Sequence, residues 1–301
     1  LLDRLDAAGI SRLVVTSQPA GLAQSLHRHA PGRILPLLGI YDHGLAKARW
    51  VHDADLPARI AAQLDAGHWA GLGELHLFAA DADQPVFAAL VRLASARKLV
   101  LLLHGDAAVV RQAYAVAPDA RILWAHLGTD PRPEVLEPLL ARHRDLWIDT
   151  SVRDERIAPE GRLLPEWRAL FERHPTRFVV AVDAFSTHRW HRYGEIVAAI
   201  RGWADGLAPE LRRALLHDNA VRLFEARAAA AQRGFELARH LPAVIEIVEA
   251  TGGMPLAIEL AAAWVRLLPP EEIARELRDS LDLLERDPAS PGAPARPEHR
   301  S

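Results

Sequence analysis

Short apolar runs, each ending on a polar residue and separated from the next by an amphipathic stretch, are the dominant pattern of the chain. Residues 99–104 and 121–126 each stop on an imidazole, His104 and His126. Residues 178–183 stop on Asp183, and residues 71–77 carry Glu74 and His76 two apart, which puts both side chains on one face of an extended segment. Apolar runs without alternation predict strands covered on both faces, as in a parallel sheet, with polar groups at their carboxyl ends. Further strands are predicted over 11–16, 33–40 and 146–151. Helical spacing predicts helices over 1–8, 50–65, 85–98, 107–117, 134–143, 165–174, 193–204 and 209–216.

This alternation predicts an α/β fold with parallel strands. A TIM-type (β/α)8 barrel of ~250 residues is the commonest closed solution, and its strand ends meet at one mouth. An open doubly wound sheet fits the same alternation. Because the chain opens on a helix and offers seven strand runs, the expectation is a barrel lacking strand 1 over residues 1–224. Residues 225–234 read as a linker and 235–284 as a small α-helical appendage. The Pro-, Ala- and Arg-rich stretch 285–301 reads as a disordered tail.

Composition narrows the chemistry. With 36 basic and 39 acidic residues the formal charge is −3, which gives no field for a nucleic acid or a membrane surface. No apolar run approaches the ~20 residues that cross a bilayer, so a cytoplasmic protein is expected. The absence of cysteine leaves only nitrogen and oxygen donors for any metal. The chain begins on Leu1 rather than Met and carries no basic-then-apolar leader, which predicts a fragment or a processed product. A barrel one strand short leaves edges near Val14 and Val180, so self-association into a homo-oligomer is expected.

One histidine at a strand end is ordinary structure; the recurrence carries the weight. Glu74, His104, His126 and Asp183 close four different predicted strands, and in a closed barrel they face one pocket. Imidazole and carboxylate together suit a divalent metal, Zn2+ first, with Mn2+ or Fe2+ as alternatives. Such a metal brings the pKa of its water toward ~7, and Asp183 is placed to take the proton. Around the mouth, His76, Arg153, His188 and Arg189 are candidate substrate contacts, and the cationic set suits a small molecule bearing a carboxylate. Asp149 reads as a residue that orients a ligand histidine. The only lysines, Lys47 and Lys98, carry no functional reading.

Gly73-Glu74-Leu-His76, Leu103-His104-Gly-Asp106, Trp124-Ala-His126-Leu-Gly128, Val182-Asp183-Ala and Asn219-Ala-Val-Arg-Leu-Phe224 resemble the amidohydrolase superfamily, in its metal-dependent hydrolase and decarboxylase branch. The resemblance covers about 1–224. It implies a TIM barrel with His104 as metal ligand, Asp183 as ligand and proton shuttle, and His126 as second ligand or transition-state stabiliser. Glu74 would bridge if two metals bind. That family also carries a His-x-His pair on its first strand, which has no counterpart upstream of Ser11. His27-Arg-His29 has the letters but falls on a predicted helix, where positions two apart diverge. The implied activity is hydrolysis of an amide, lactone or ester bond, with non-oxidative decarboxylation as the alternative. The missing pair puts the catalytic competence of this chain in question.

Residues 252–269, within 235–284, resemble the Gly-Leu-Pro-Leu region of NB-ARC-type signal-transduction ATPases, with Met254 in the leucine's place. The nucleotide-binding half of that family has no counterpart here, since neither lysine lies in a phosphate loop. A regulatory fusion, in which a degenerate barrel joins an ATPase-derived helical module, is the alternative from another class. No Gly-x-Ser-x-Gly elbow is present, and Gly71-Leu-Gly73 lacks the third glycine of a dinucleotide loop.

Overall fold

The computed structural model describes residues 1–223 except 43, 44 and 46, together with 243, 271, 272, 274 and 275. The linker, the helical appendage and the tail expected beyond residue 224 otherwise lie outside the described residues. The chain divides into two units, Leu1–Arg227 and Ala228–Ser301, and the first carries the fold described below.

Strands β1 (Leu13–Val15), β2 (Ile34–Leu38), β3 (Gly71–His76), β4 (Val100–His104), β5 (Arg121–Trp124), β6 (Leu146–Asp149) and β7 (Phe178–Val179) pair in chain order into one seven-stranded sheet. Every pairing is parallel. The helices are α1 (Leu2–Ala7), α2 (Gly21–His29), α3 (Leu56–Ala66), α4 (Pro85–Ala96), α5 (Ala107–Val116) and α6 (Pro133–Arg142). They continue with α7 (Asp154–Ile157), α8 (Pro165–Arg173), α9 (Thr187–His191), α10 (Tyr193–Ala204) and α11 (Pro209–Arg213). Proline opens α4, α6, α8 and α11, where its fixed φ suits the first turn and its missing N–H costs nothing. Asp106 caps α5 by accepting from the backbone N–H of Ala108 and Val109, and its other oxygen accepts from Ala79 N at 2.9 Å. The residue that starts α5 therefore also fastens the loop leaving β3.

The sheet curls into an incomplete barrel. Leu35 and Leu37 on β2, Val100 on β4, Leu123 on β5 and Val179 on β7 meet in one apolar cluster, which a flat sheet would not allow. The alternate row packs outward against the helices: Leu101 and Leu103 join Phe87, Leu90, Val109 and Ala113. In β4 the division is regular, with Val100 and Leu102 inward and Leu101 and Leu103 outward, so His104 continues the inward row. The segment after α11 plugs the amino ends of the strands. Leu223 is fully buried in the inward cluster, and the Asn219 side-chain amide donates to the carbonyls of Pro175 and Phe178, both at 2.8 Å.

Among the described residues β1 and β7 each have a single strand neighbour, and Val14 on β1 is 37% exposed. The helical layer does meet across this gap. Leu5 of α1 and Ala8 just after it pack on Tyr193 and Val197 of α10, and Arg4 Nη1 donates to Trp190 O at 2.5 Å. No helix among the described residues is long and apolar enough to cross a membrane.

The structure corrects the sequence reading at two strand ends and at the start of one helix. The segment expected as a strand over 178–183 pairs only at Phe178–Val179, because Val180 N turns to Leu215 O at 3.3 Å instead of a strand partner. The run expected to carry His126 on its strand stops at Trp124, and His126 follows in a tight turn over Ala125–Leu127 in which its own backbone is not helical. Residues 50–65 are a short turn, Trp50–His52, followed by α3 rather than one helix.

Candidate metal centre

Glu74 reaches the cluster because β3 is not regular. Gly71 and Leu72 pair with Val100 and Leu101, whereas Leu75 and His76 pair with Leu103 and His104, so β3 carries one residue more than β4 in between. Gly73 sits at this bulge with φ +137°, and a Cβ there would lie 2.5 Å from Leu102 O. Only glycine lets the two backbones approach this closely.

Glu74 Oε1 accepts from two imidazoles, His104 Nδ1 at 2.9 Å and His126 Nε2 at 3.1 Å. Ligand atoms of Glu74, His104 and His126 all lie within 4.8 Å of one another, which marks the three as a group able to hold a metal. Asp183 Oδ2 stands 3.8 Å from His126 Nε2, beside this group rather than in it. The His76 ring stacks on His104 with centroids 4.5 Å apart, and its Nε2 is 3.5 Å from Glu74 Oε2.

A second layer fixes the imidazoles. Ser151 Oγ donates to Asp149 Oδ1, so it can only accept from His126 Nδ1–H, 2.7 Å away. That bond leaves Nε2 as the position that faces Glu74, where it carries either a proton or a lone pair for a cation. Asp149 is buried, and its Oδ1 also accepts from the backbone N–H of His126 at 3.1 Å and of Ser151 at 2.9 Å. His76 is held on three sides. Its N–H donates to Tyr41 Oη at 2.9 Å, its carbonyl accepts from Trp50 Nε1 at 2.8 Å, and its Nδ1 lies 3.0 Å from the same tyrosine oxygen.

His126 and Asp183 share a backbone peculiarity, since both take left-handed conformations with φ +59° and +50°. Strain of this kind persists where neighbours enforce it and gathers at functional sites. Arginine supplies the enforcement in both places. Arg153 donates to His126 O at 2.9 Å and to Gly128 O at 3.1 Å. Arg189 donates to Asp183 O at 2.9 Å and to Val182 O at 2.7 Å. The arginines expected to meet a substrate carboxylate therefore spend these donors bracing the turns that carry His126 and Asp183. His188 lies exposed on α9. His27 bonds Ile34 O at 2.8 Å from α2 and stacks on His68, apart from the metal-capable group.

Electrostatics agree with this division of roles. Burial works against the charge of Glu74, yet the hydrogen bonds from His104 and His126 hold its carboxyl well below the usual range. Burial also opposes protonation of His126, but Glu74, Asp149 and Asp183 together raise it above an ordinary histidine. Burial pushes His76 down to about 4, so this ring is neutral near pH 7. Burial raises Asp183 despite the opposing pull of His126, which makes it a better proton acceptor than a free carboxylate. Sequence reasoning missed Ser151, Tyr41, Trp50 and Lys47. Ser151 alone had a readable signal, two residues after Asp149 at a strand end.

A TIM-type barrel with seven strands among the described residues, carrying a histidine–carboxylate cluster at its strand ends, is the class that fold and site define. Solved structures share that fold. An uncharacterised TIM-barrel protein of Bordetella bronchiseptica aligns with TM-score 0.54 at 13% identity, over 74% of this chain and 80% of that one. A protein described as a 2-pyrone-4,6-dicarboxylic acid hydrolase of Pseudomonas putida aligns with TM-score 0.50 at 20% identity, over 74% and 85%. One so described from Acinetobacter baumannii, with citric acid bound, aligns with TM-score 0.51 at 13% identity, over 74% and 86%. At these identities the likeness is one of fold. No family model matches the chain. Among curated proteins, sequences described as HTH-type transcriptional regulators of Mycobacterium tuberculosis and Mycobacterium bovis are 50% identical over 68 residues, 22% of this chain. The chain spans 8% of the length of these relatives.

Proposed function

We propose that the chain is a metal-dependent hydrolase of the amidohydrolase type, acting on an ester, lactone or amide bond of a small molecule. The observation that carries this reading is the convergence of Glu74, His104 and His126, with Asp183 beside them, at the strand ends where barrels of this fold build their sites. The barrel shared with proteins described as pyrone dicarboxylic acid hydrolases supports the class.

The donor set fits a divalent cation, Zn2+ first: nitrogen and carboxylate oxygen, no sulfur, with the His126 tautomer fixed by Ser151. Glu74, His104 and His126 would hold it, and when bound it supplies water acidified toward pKa ~7. Asp183 takes the proton from the attacking water and returns it to the leaving oxygen or nitrogen. Arg189 holds the turn that aims Asp183, and Arg153 does the same for His126. The expectations of a small-molecule substrate, self-association and a cytoplasmic location belong to this reading.

Metal content and hydrolysis of a panel of aryl esters, lactones and anilides test it. Bound metal should fall in His104→Ala and persist in Asp183→Asn, while hydrolysis is lost in both. A purified chain that takes up no divalent ion contradicts the proposal. The 68-residue match to transcriptional regulators supports a second reading, a regulatory role that accompanies the barrel. Deleting 235–301 should then change the oligomeric state, and an unchanged size distribution removes that reading.

A further inference from the structure

The metal-capable group accounts for Glu74, His104 and His126 but leaves unused the space bordered by the neighbouring His76 ring. A cavity of about 290 Å³ lies there, walled by Lys47, Trp50, Val51, His76 and Phe78 among others. That volume is at the small end of ligand sites, enough for one ring and a substituent.

The walls differ in kind. Trp50 and Val51 are buried, whereas Phe78 is 52% exposed and presents its ring to solvent. An exposed phenylalanine beside an apolar floor is surface that a planar ligand would cover. The polar wall is Lys47, whose Nζ lies 3.1 Å from His76 Nε2. An ammonium can only donate, so Nε2 is the acceptor and the ring proton sits on Nδ1, donating to Tyr41 Oη. The same Nε2 stands 3.5 Å from Glu74 Oε2, so a single imidazole nitrogen separates the ammonium from the cluster. Among the described residues no carboxylate is paired with Lys47, whereas Arg153 and Arg189 are committed to backbone carbonyls. Asp81 also borders the cavity, so one anionic group is better accommodated than two.

We propose that Lys47, steadied by His76, is the anion-reading residue of this site, and that the cavity takes a small planar molecule bearing one carboxylate whose reacting bond reaches the Glu74, His104 and His126 group. The position of the reacting bond rests on the hydrolase reading; the anion site does not. The ligand's ring covers Phe78 and its carboxylate pairs with the ammonium.

Titration of the full chain with benzoate and its neutral isostere benzamide tests this. Wild type should prefer benzoate, and Lys47→Gln should weaken benzoate by about tenfold, the usual scale for a hydrogen bond to a charged group, while benzamide is unchanged. Lys47→Arg should keep the preference, and Phe78→Ala should weaken both probes alike. Equal binding of the two probes by wild type, binding of neither, or equal losses in Lys47→Gln overturns the proposal. Zinc content measured on the same preparations separates the two claims. Protein that takes up neither zinc nor another divalent ion and still prefers benzoate through Lys47 overturns the hydrolase reading and keeps the anion site; metal-loaded protein without the preference does the reverse.

Discussion

Replacing Ser151 with alanine removes the hydroxyl that connects the His126 ring to the buried Asp149 carboxylate. His126 Nδ1 then loses its 2.7 Å partner and is left 3.7 Å from Asp149 Oδ1, too far for a good hydrogen bond. Asp149 keeps its two backbone donors, at 3.1 and 2.9 Å, so the carboxylate is not orphaned and the fold survives. What is lost is the preference for the tautomer that turns Nε2 toward Glu74. Loss of such an outer partner typically lowers metal affinity by about ten- to hundredfold, or about 1.4 to 2.7 kcal/mol. The buried hydrogen bonds lost should also lower stability by about 1 to 3 kcal/mol. Competition with a chromophoric chelator measures the first effect, and denaturant unfolding of the metal-free proteins measures the second. A Ser151→Ala protein that binds zinc within about twofold of wild type, against the expected ten- to hundredfold loss, refutes the reasoning.

Further outcomes follow from the same geometry. Gly73→Ala places a methyl 2.5 Å from Leu102 O at a φ of +137°, and should destabilise the metal-free protein by about 2 kcal/mol or more, read as a lower unfolding midpoint. Asp183→Asn should cut hydrolysis by about 10²- to 10⁴-fold while zinc content is kept, the range for loss of a general base. Arg189→Met leaves the Asp183 and Val182 carbonyls without their donor; kcat should fall more than KM rises, and a variant of wild-type kcat would show that the brace is dispensable. The edges of β1 and β7, each with a single strand neighbour among the described residues, should make sedimentation of the chain concentration-dependent, and a single monomeric species across the accessible range would contradict that.

Much of the fold was legible because helix starts and buried strands carry strong local signals. Pro85 and Pro165 mark helix starts in the sequence and begin α4 and α8 in the structure, and the run up to His104 forms β4 with alternate residues inward and outward. The meeting of Glu74, His104 and His126 was also readable, since parallel strand ends of a barrel share one mouth. What escaped depends on the third dimension. The bulge at Gly73 arises from close approach of β4, which no spacing within β3 reveals. Arg153 and Arg189 carry the charge of substrate contacts, but their bonds go to carbonyls exposed by left-handed turns at His126 and Asp183, and those turns leave no mark in the residue types. Lys47 was passed over because nothing near it in sequence places it beside His76, which is brought there by the fold.

Anomalous diffraction at the zinc edge from crystals soaked in zinc tests the central claim most directly. The account predicts a single strong peak about 2.0 to 2.2 Å from the nearest nitrogen and oxygen atoms of His104, His126 and Glu74. A map with no peak there, or with zinc bound only at surface histidines such as His188, contradicts it.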